Sequence, residues 1–157
     1  MITTKNKPMK KLLAIIGLSA FFALGSAFMP SPLIDMNKVK IAVNAPEKAK
    51  VNGEFTVELT LNKEGESGFC KLEHLIPEGF IASEVESSGA VFVFEKQKVK
   101  FIWLKIPANN QVKVKYKVKV DPSVIPGKFA LAGSFAYTEN KKVKKVEAPK
   151  WNMLIEK

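Results

Sequence analysis

Residues 54–62 read EFTVELTLN, in which apolar and polar side chains alternate without a break. In an extended chain successive side chains point to opposite faces, so this period of two is typical of a β-strand that is buried on one side. The turn pair Asn52-Gly53 stands directly before the segment. The segment therefore predicts a strand with one face on a core and the other in water. The apolar face consists of Phe55, Val57, Leu59 and Leu61, and the polar face of Glu54, Thr56, Glu58 and Thr60.

Further short segments with strand character lie on both sides of this one. Turn-forming residues separate them, such as SSG at 87–89 and PANN at 107–110. Eight or nine strands, with a turn about every 8–12 residues, predict an all-β chain folded as an antiparallel β-sandwich, with a closed barrel as the alternative. The segments are 39–43, 68–76, 80–86, 90–95, 98–105, 111–120, 127–138 and 142–147.

The N-terminus has the three parts of a secretory signal peptide. Residues 1–11 contain four lysines and no acidic residue, residues 12–24 read LLAIIGLSAFFAL, and Gly25-Ser26-Ala27 supplies the small residues of a cleavage site. We expect residues 1–27 to form a helical signal peptide that is removed after export. The mature protein is then expected in the periplasm, at the cell surface or in the extracellular space, with no transmembrane segment.

Two prolines follow the signal peptide. Pro30 and Pro32 would interrupt a membrane-spanning helix, which disfavours the alternative of an uncleaved anchor. The segment 28–37, FMPSPLIDMN, predicts a linker. We expect the β-sandwich over 38–148. The last segment, 149–157, is expected to form a C-terminal edge strand that packs on its own domain, or a tail that docks on a partner.

The charge of the chain is unusual because all 25 basic residues are lysines. After removal of the signal peptide, 21 lysines and 15 acidic residues would leave a net charge of +6. Arginine is the residue that grips phosphate with two parallel hydrogen bonds, so a basic chain without arginine is a poor candidate for binding nucleic acid. A single cysteine excludes a disulfide within the chain.

A recognisable order of motifs runs from residue 51 to residue 121. A Gly-acidic turn, Gly53-Glu54, begins an alternating strand, and an apolar-Pro-x-Gly turn follows at Ile76-Pro77-Glu78-Gly79. Trp103 then stands in a strand, and a later alternating strand closes in Val120-Asp121. This order resembles the Ig-like conserved-repeat domains of bacterial surface proteins. The resemblance implies an Ig-like β-sandwich in an envelope setting.

Cys70 and His74 are the only pair of residues that suggests catalysis. On a strand, residues four apart share a face but lie about 13 Å apart, whereas a thiol–imidazole pair needs contact near about 3 Å. We therefore expect Cys70 to be a buried structural thiol and His74 to lie at the rim of the sheet. Trp103 is expected to anchor the core, with a sugar-stacking platform as the alternative. Phosphate-binding loops and clustered metal ligands are missing from the sequence, so no enzyme, cofactor or metal site is predicted.

Residues 111–120, QVKVKYKVKV, place a row of lysines on one face of a strand. We expect 127–138 to be the neighbouring strand, which would set a strip of small residues beside these cations. This face is either a binding site for an anionic glycan, a lipid surface or an acidic partner, or the solvated face of an ordinary sheet. We also expect 54–62 to pair with 98–105, with glutamates opposite lysines. The candidate binding face consists of Lys113, Lys115, Lys117, Lys119, Ala130, Ala132 and Ser134, and the expected ion pairs join Glu54 and Glu58 to Lys98 and Lys100.

Together these patterns predict an exported, non-enzymatic Ig-like module with a structural or protein-interaction role in the bacterial envelope or extracellular space. The expected partner is another envelope or surface protein. The alternative function is binding of an anionic polysaccharide or another polyanion through the lysine-rich face.

Overall fold

The computed structural model describes residues 39–65 and 68–157, and all regular elements within these ranges are β-strands. The predicted signal peptide and linker lie outside the described residues. Within the described part, no helix is long and apolar enough to cross a membrane. The strands are β1 (Val39–Asn44), β2 (Lys48–Lys50), β3 (Glu54–Lys63), β4 (Cys70–Leu75), β5 (Phe80–Glu86), β6 (Val91–Glu95), β7 (Lys98–Trp103), β8 (Gln111–Val120), β9 (Gly127–Glu139), β10 (Lys142–Glu147) and β11 (Trp151–Glu156).

The strands form two sheets. The smaller sheet has the order β1-β3-β8-β5, and the larger sheet has the order β2-β11-β9-β4-β7-β6. The long strand β9 pairs with β4 along one side, while β11 and β10 share its other side. All pairings are antiparallel except the one between β2 and β11. The predicted all-β, Ig-like sandwich is confirmed, with two strands more than the upper estimate.

The core lies between the sheets and is built by the inward residues of each alternating strand. In β3, the residues Phe55, Val57, Leu59 and Leu61 are all buried, as their period of two predicts. The larger sheet contributes large side chains that meet them, including Phe101, Trp103 and Phe135. Burial of such side chains supplies about 1.5–3 kcal/mol each, so this apolar layer stabilises a domain that has no disulfide.

The predicted pairing of 54–62 with 98–105 is wrong. β3 pairs with β1 and β8, whereas β7 lies in the larger sheet between β4 and β6. Glu54 and Glu58 therefore stand opposite Lys119 and Lys115 of β8. The alternation of a strand determines which side chains face the core, but it carries little information about which strand lies beside it.

The C-terminal strand β11 is not at the edge of its sheet. It lies between β9 and β2, with Met153 and Ile155 buried in the core. The indole N–H of Trp151 donates a hydrogen bond to the carbonyl of Pro46 at 3.2 Å. The short strand β2, which the sequence analysis missed, adds to the outer side of β11 and so converts an expected edge into an interior strand.

Candidate interaction site

The lysine row, Lys113, Lys115, Lys117 and Lys119, lies on the outer face of β8 and is flanked by glutamates from both neighbouring strands. Lys115 sits between Glu58 of β3, at 3.3 Å, and Glu86 of β5, at 3.2 Å. Hydrogen bonds to Glu86 and Glu58 raise the pKa of the Lys115 ammonium above its usual value. Lys113 and Lys117 approach Glu58 and Glu54 at 3.7 and 3.2 Å. The row is thus largely balanced by cross-strand ion pairs, as on the solvated face of an ordinary sheet.

The small-residue strip does not lie beside the lysine row. Ala130, Ala132 and Ser134 belong to β9, which is in the other sheet. Their neighbours are Asn152 of β11 and Leu75 and Glu73 of β4. The candidate face predicted from the sequence is therefore split between the two sheets, because β8 is paired on both sides by β3 and β5.

Cys70 and Trp103 lie in the core, as the sequence analysis predicts. Cys70 is buried, and its thiol lies 3.5 Å from the carbonyl oxygen of Gly68. Trp103 is fully buried, and its indole N–H donates a hydrogen bond to the carbonyl of Ser88 at 3.0 Å. A ring with no exposed surface offers no platform for a sugar.

The prediction that His74 lies at the rim is wrong. His74 shares the inward face of β4 with Cys70 and Leu72, and its exposed fraction is 0%. Because β4 is covered by β9 and β7, each of its inward residues is enclosed. The ring nitrogen Nδ1 is hydrogen-bonded to the hydroxyl of Tyr116, which reaches across from the smaller sheet. Among the described residues, Nε2 has no hydrogen-bond partner.

Burial keeps this polar pair uncharged. Loss of hydration lowers the pKa of His74 from 6.5 to about 4. The same cause raises the pKa of the Tyr116 hydroxyl well above its usual value near 10. Such a pair serves packing and orientation in the core, where it contacts no solvent.

Gly133 makes room for the imidazole. It stands directly opposite His74 in β9, and a Cβ atom at this position would lie 2.6 Å from the Cδ2 of His74 and 2.5 Å from the carbonyl oxygen of Glu73. A glycine inside a strand often marks such a close approach. The sequence indicates this close approach, because Gly133 occupies the inward position between Leu131 and Phe135 where a large apolar residue would be expected.

A cluster of exposed apolar side chains occupies one end of the outer face of the larger sheet. The register pairs Val143 with Thr138 and Cys70 with both Tyr137 and Trp103. Continued by one residue, this register sets Phe69 between Thr138 and Leu104. Leu104 is 84% exposed, Val143 77% and Phe69 54%. We call this cluster the apolar end patch, defined by Phe69, Ile102, Leu104 and Val143.

Lysines border the apolar end patch. Lys105 follows Leu104, and Lys141 and Lys142 precede Val143; all three are exposed. Lys71 lies one row further along the sheet, beside Ile102, and contacts Glu73 at 3.1 Å. An apolar centre with a cationic border is a pattern found at contact surfaces between proteins.

A groove lies beside β11, away from the apolar end patch. This shallow groove of about 630 Å³ runs along β11 and is lined by Glu47, Lys48, Lys128, Trp151, Asn152, Met153 and Leu154. In the part of the chain that the structure describes, no three His, Cys, Asp or Glu side chains are grouped as metal ligands. The groove is shallow and has a mixed lining of charged, polar and apolar side chains, whereas the apolar end patch combines three exposed apolar side chains, so the patch is the stronger candidate.

Comparison with known proteins identifies the fold. No protein-family model matches the chain, and no curated protein sequence matches it. The full-length major pilin SpaD from Corynebacterium diphtheriae is similar over 72% of this chain, with a TM-score of 0.56 and 10% identity. This similarity covers 34% of the pilin, so the chain corresponds to about a third of its length.

Weaker structural similarities extend to other proteins. A non-cellulosomal cohesin from the archaeon Archaeoglobus fulgidus is similar over 75% of this chain and 92% of its own, with a TM-score of 0.47 and 13% identity. A GH20 exo-β-N-acetylglucosaminidase from Vibrio harveyi is similar over 71% of this chain and 17% of its own, with a TM-score of 0.45 and 6% identity. At 10% identity, what this chain shares with the pilin is the fold alone.

Proposed function

We propose that this protein is an exported, non-enzymatic Ig-like module that binds another protein of the bacterial envelope or extracellular space. The observation that carries the proposal is the apolar end patch. Leu104, Val143 and Phe69 expose most or half of their side chains at the same end of the larger sheet. Other exposed apolar residues, such as Ile81 and Ile125, lie elsewhere on the molecule. Clustered apolar exposure of this kind is costly in water and is typical of a surface that a partner covers.

The proposal that the protein is exported rests on the composition of the N-terminus. We propose that residues 1–27 are the signal peptide, 28–37 a linker, and the remainder the folded module. A fold shared with a major pilin suits a protein that works outside the cytoplasm through contacts with other proteins.

The lysines around the patch indicate the charge of the partner. Lys105, Lys141 and Lys142 surround an apolar centre, so a complementary surface would have an apolar centre bordered by carboxylates. Binding would then depend mainly on apolar burial, and the border charges would guide association. Such an interface should resist moderate salt better than one made of ion pairs alone.

The proposal can be tested by co-purification from the native cell in high salt. Phe69→Ser combined with Leu104→Ser removes the apolar centre without touching the core. Ile81→Ser combined with Ile125→Ser is the matched control, because both isoleucines are exposed but lie elsewhere. We expect a protein to be retained by the wild type and the control and lost by the patch variant. Equal retention by all three would contradict the proposal.

Binding of an anionic polysaccharide through the lysine row remains the alternative prediction. The ion pairs of Lys115 and Lys117 with glutamates weaken it, since carboxylates already occupy positions that a polyanion would take. Retention that disappears in moderate salt, and that the patch variant leaves unchanged, would favour this alternative.

A further inference from the structure

Among the described strands, β6 pairs on one side only, and its other edge lacks the features that usually prevent edge-to-edge pairing. Proteins usually protect the free edges of sheets with lysines, bulges or very short strands. β2 consists of three residues with two lysines, β10 contains three lysines, and β5 carries a bulge between Glu84 and Glu86. β1 lies beside β10. β6 reads VFVFE, pairs only with β7 among the described strands, and has no charge before Glu95.

Two aromatic residues of β6 are incompletely covered. Phe92 and Phe94 stand opposite the core residues Phe101 and Val99 and therefore point inward, yet both are only partly buried. The rings of Phe92 and Phe101 meet edge to face at a centroid distance of 5.4 Å. Among the described residues, no strand pairs with the outer edge of β6, although β5 of the smaller sheet comes near it. A further strand at this edge would cover the two rings.

The turn after β6 determines which backbone groups face the open edge. Lys96 and Gln97 both have positive φ, which defines a two-residue hairpin turn of type I′. In such a hairpin the residues that flank the turn are hydrogen-bonded to each other, and the hydrogen-bonded pairs then alternate. Glu95, Val93 and Val91 consequently bond to β7. The N–H and C=O groups of Phe92 and Phe94 point towards the open edge.

The sequence of β6 matches itself in an antiparallel arrangement. We propose that β6 pairs with β6 of a second copy about a two-fold axis through Val93, with Phe92 of each copy opposite Phe94 of the other. In this register the outward-pointing backbone groups of both copies meet as hydrogen-bonded pairs, and Val93 faces Val93 in a non-hydrogen-bonded pair. The Glu95–Lys100 ion pair within each copy stays on the outer face.

This self-association is separate from the proposed binding of a partner, because it uses the edge of β6 and not the apolar end patch. It also explains why this edge lacks the lysines found on β2 and β10. A β6 edge that pairs with β6 of a second copy needs no lysines to prevent other pairings. An unpaired edge of this composition would favour aggregation.

A disulfide at the two-fold axis tests the register. Non-hydrogen-bonded residues in an antiparallel pair have Cα atoms about 4.5 Å apart, which is within the range for a disulfide. Val93→Cys should therefore form a covalent dimer under mild oxidation. Val91→Cys is the matched control: it is more exposed, but in this register its counterpart would lie about 13 Å away along the strand. The native Cys70 is buried and should form no disulfide in either variant.

The experiment uses the protein purified in its processed form, with circular dichroism to verify that both variants fold. We expect Val93→Cys to shift to twice the monomer mass on non-reducing gels, and Val91→Cys to remain a monomer. Sedimentation equilibrium of the wild type should show a dimer. Val93→Glu should dissociate this dimer, whereas Val143→Glu, which lies on the lysine-rich strand β10, should leave it intact. A wild type that stays monomeric at all concentrations, or equal cross-linking of the two cysteine variants, would overturn the proposal. Neither result depends on whether a partner binds the apolar end patch.

Discussion

His74 and Tyr116 form a polar contact at the centre of an otherwise apolar core. The two side chains come from opposite sheets, so their hydrogen bond joins the sheets and gives a partner to Nδ1 of His74 and to the hydroxyl of Tyr116. A buried imidazole is costly if it is charged, because the interior cannot replace the hydration of the cation. The free energy of unfolding should therefore depend on pH through this pair.

We expect acid to destabilise the protein through His74. The unfolded chain takes up a proton near pH 6.5, whereas the folded protein does so only near the lowered pKa of about 4. The unfolded state thus binds more protons across this window, and stability falls as the pH is lowered from 6.5 to about 4. The loss amounts to about 3 kcal/mol from this group. Urea unfolding at a series of pH values measures it.

A double variant separates His74 from the carboxylates, which also titrate in acid. His74→Leu with Tyr116→Phe removes both polar partners together and leaves no unsatisfied group. The slope of stability against pH between 6.5 and 5 should flatten in this variant. An unchanged slope would show that His74 is not the responsible group.

Gly133 is expected to be essential for packing. Gly133→Ala places a methyl group against the imidazole of His74 and the backbone of Glu73, so the free energy of unfolding should fall by about 1–3 kcal/mol. Gly127→Ala is the matched control in the same strand, since the nearest atom to a Cβ there is 4.0 Å away. Urea midpoints that are equal for the two variants would contradict the packing described for β4 and β9.

At the scale of the strands, the sequence predicts the elements well and their neighbours poorly. All nine segments with alternating or apolar patterns became strands, because a period of two directly reflects burial on one face. The partner of β8 could not be predicted in this way, since β3, β7 and β9 all present comparable apolar faces. β2 was missed because three residues are too few to show a period. The rim position expected for His74 failed because polarity alone does not reveal burial.

The lysine row of β8 allows a prediction about this element. Because Lys115 and Lys117 already contact glutamates of β3 and β5, we expect Lys115→Gln with Lys117→Gln to leave the fold and the protein partner unchanged. The urea midpoint and the co-purification in high salt measure the two outcomes. A variant that folds normally but loses an interaction that moderate salt also abolishes would identify the row as a binding site for a polyanion.

At the scale of the whole molecule, both proposed contact surfaces belong to the larger sheet. Both sheets present ion-paired lysines and glutamates to solvent, but the apolar end patch and the unpaired edge of β6 lie on the larger one. The patch escaped the sequence analysis because Phe69, Leu104 and Val143 come from distant segments and are brought together only by the order of the strands. The order of the strands also separates the candidate binding face that was predicted from the sequence, because its lysines and its small residues belong to different sheets.

Export is a prediction for the whole chain. The basic, apolar and small residues of 1–27 should direct secretion and then be removed. N-terminal sequencing of the protein from the extracytoplasmic fraction should begin at or very near Phe28. Recovery of intact Met1 from that fraction would show that the segment is retained as an anchor.

The role of the apolar end patch is tested most directly by site-specific photo-cross-linking in the native cell. A photo-reactive residue in place of Leu104 samples the apolar end patch, and the same residue in place of Lys117 samples the ion-paired face of the smaller sheet. We expect a protein adduct of one defined mass at position 104 and none at position 117. An adduct confined to position 117, or no adduct at position 104 in a correctly folded and exported protein, would contradict the claim that this module acts through its apolar end patch.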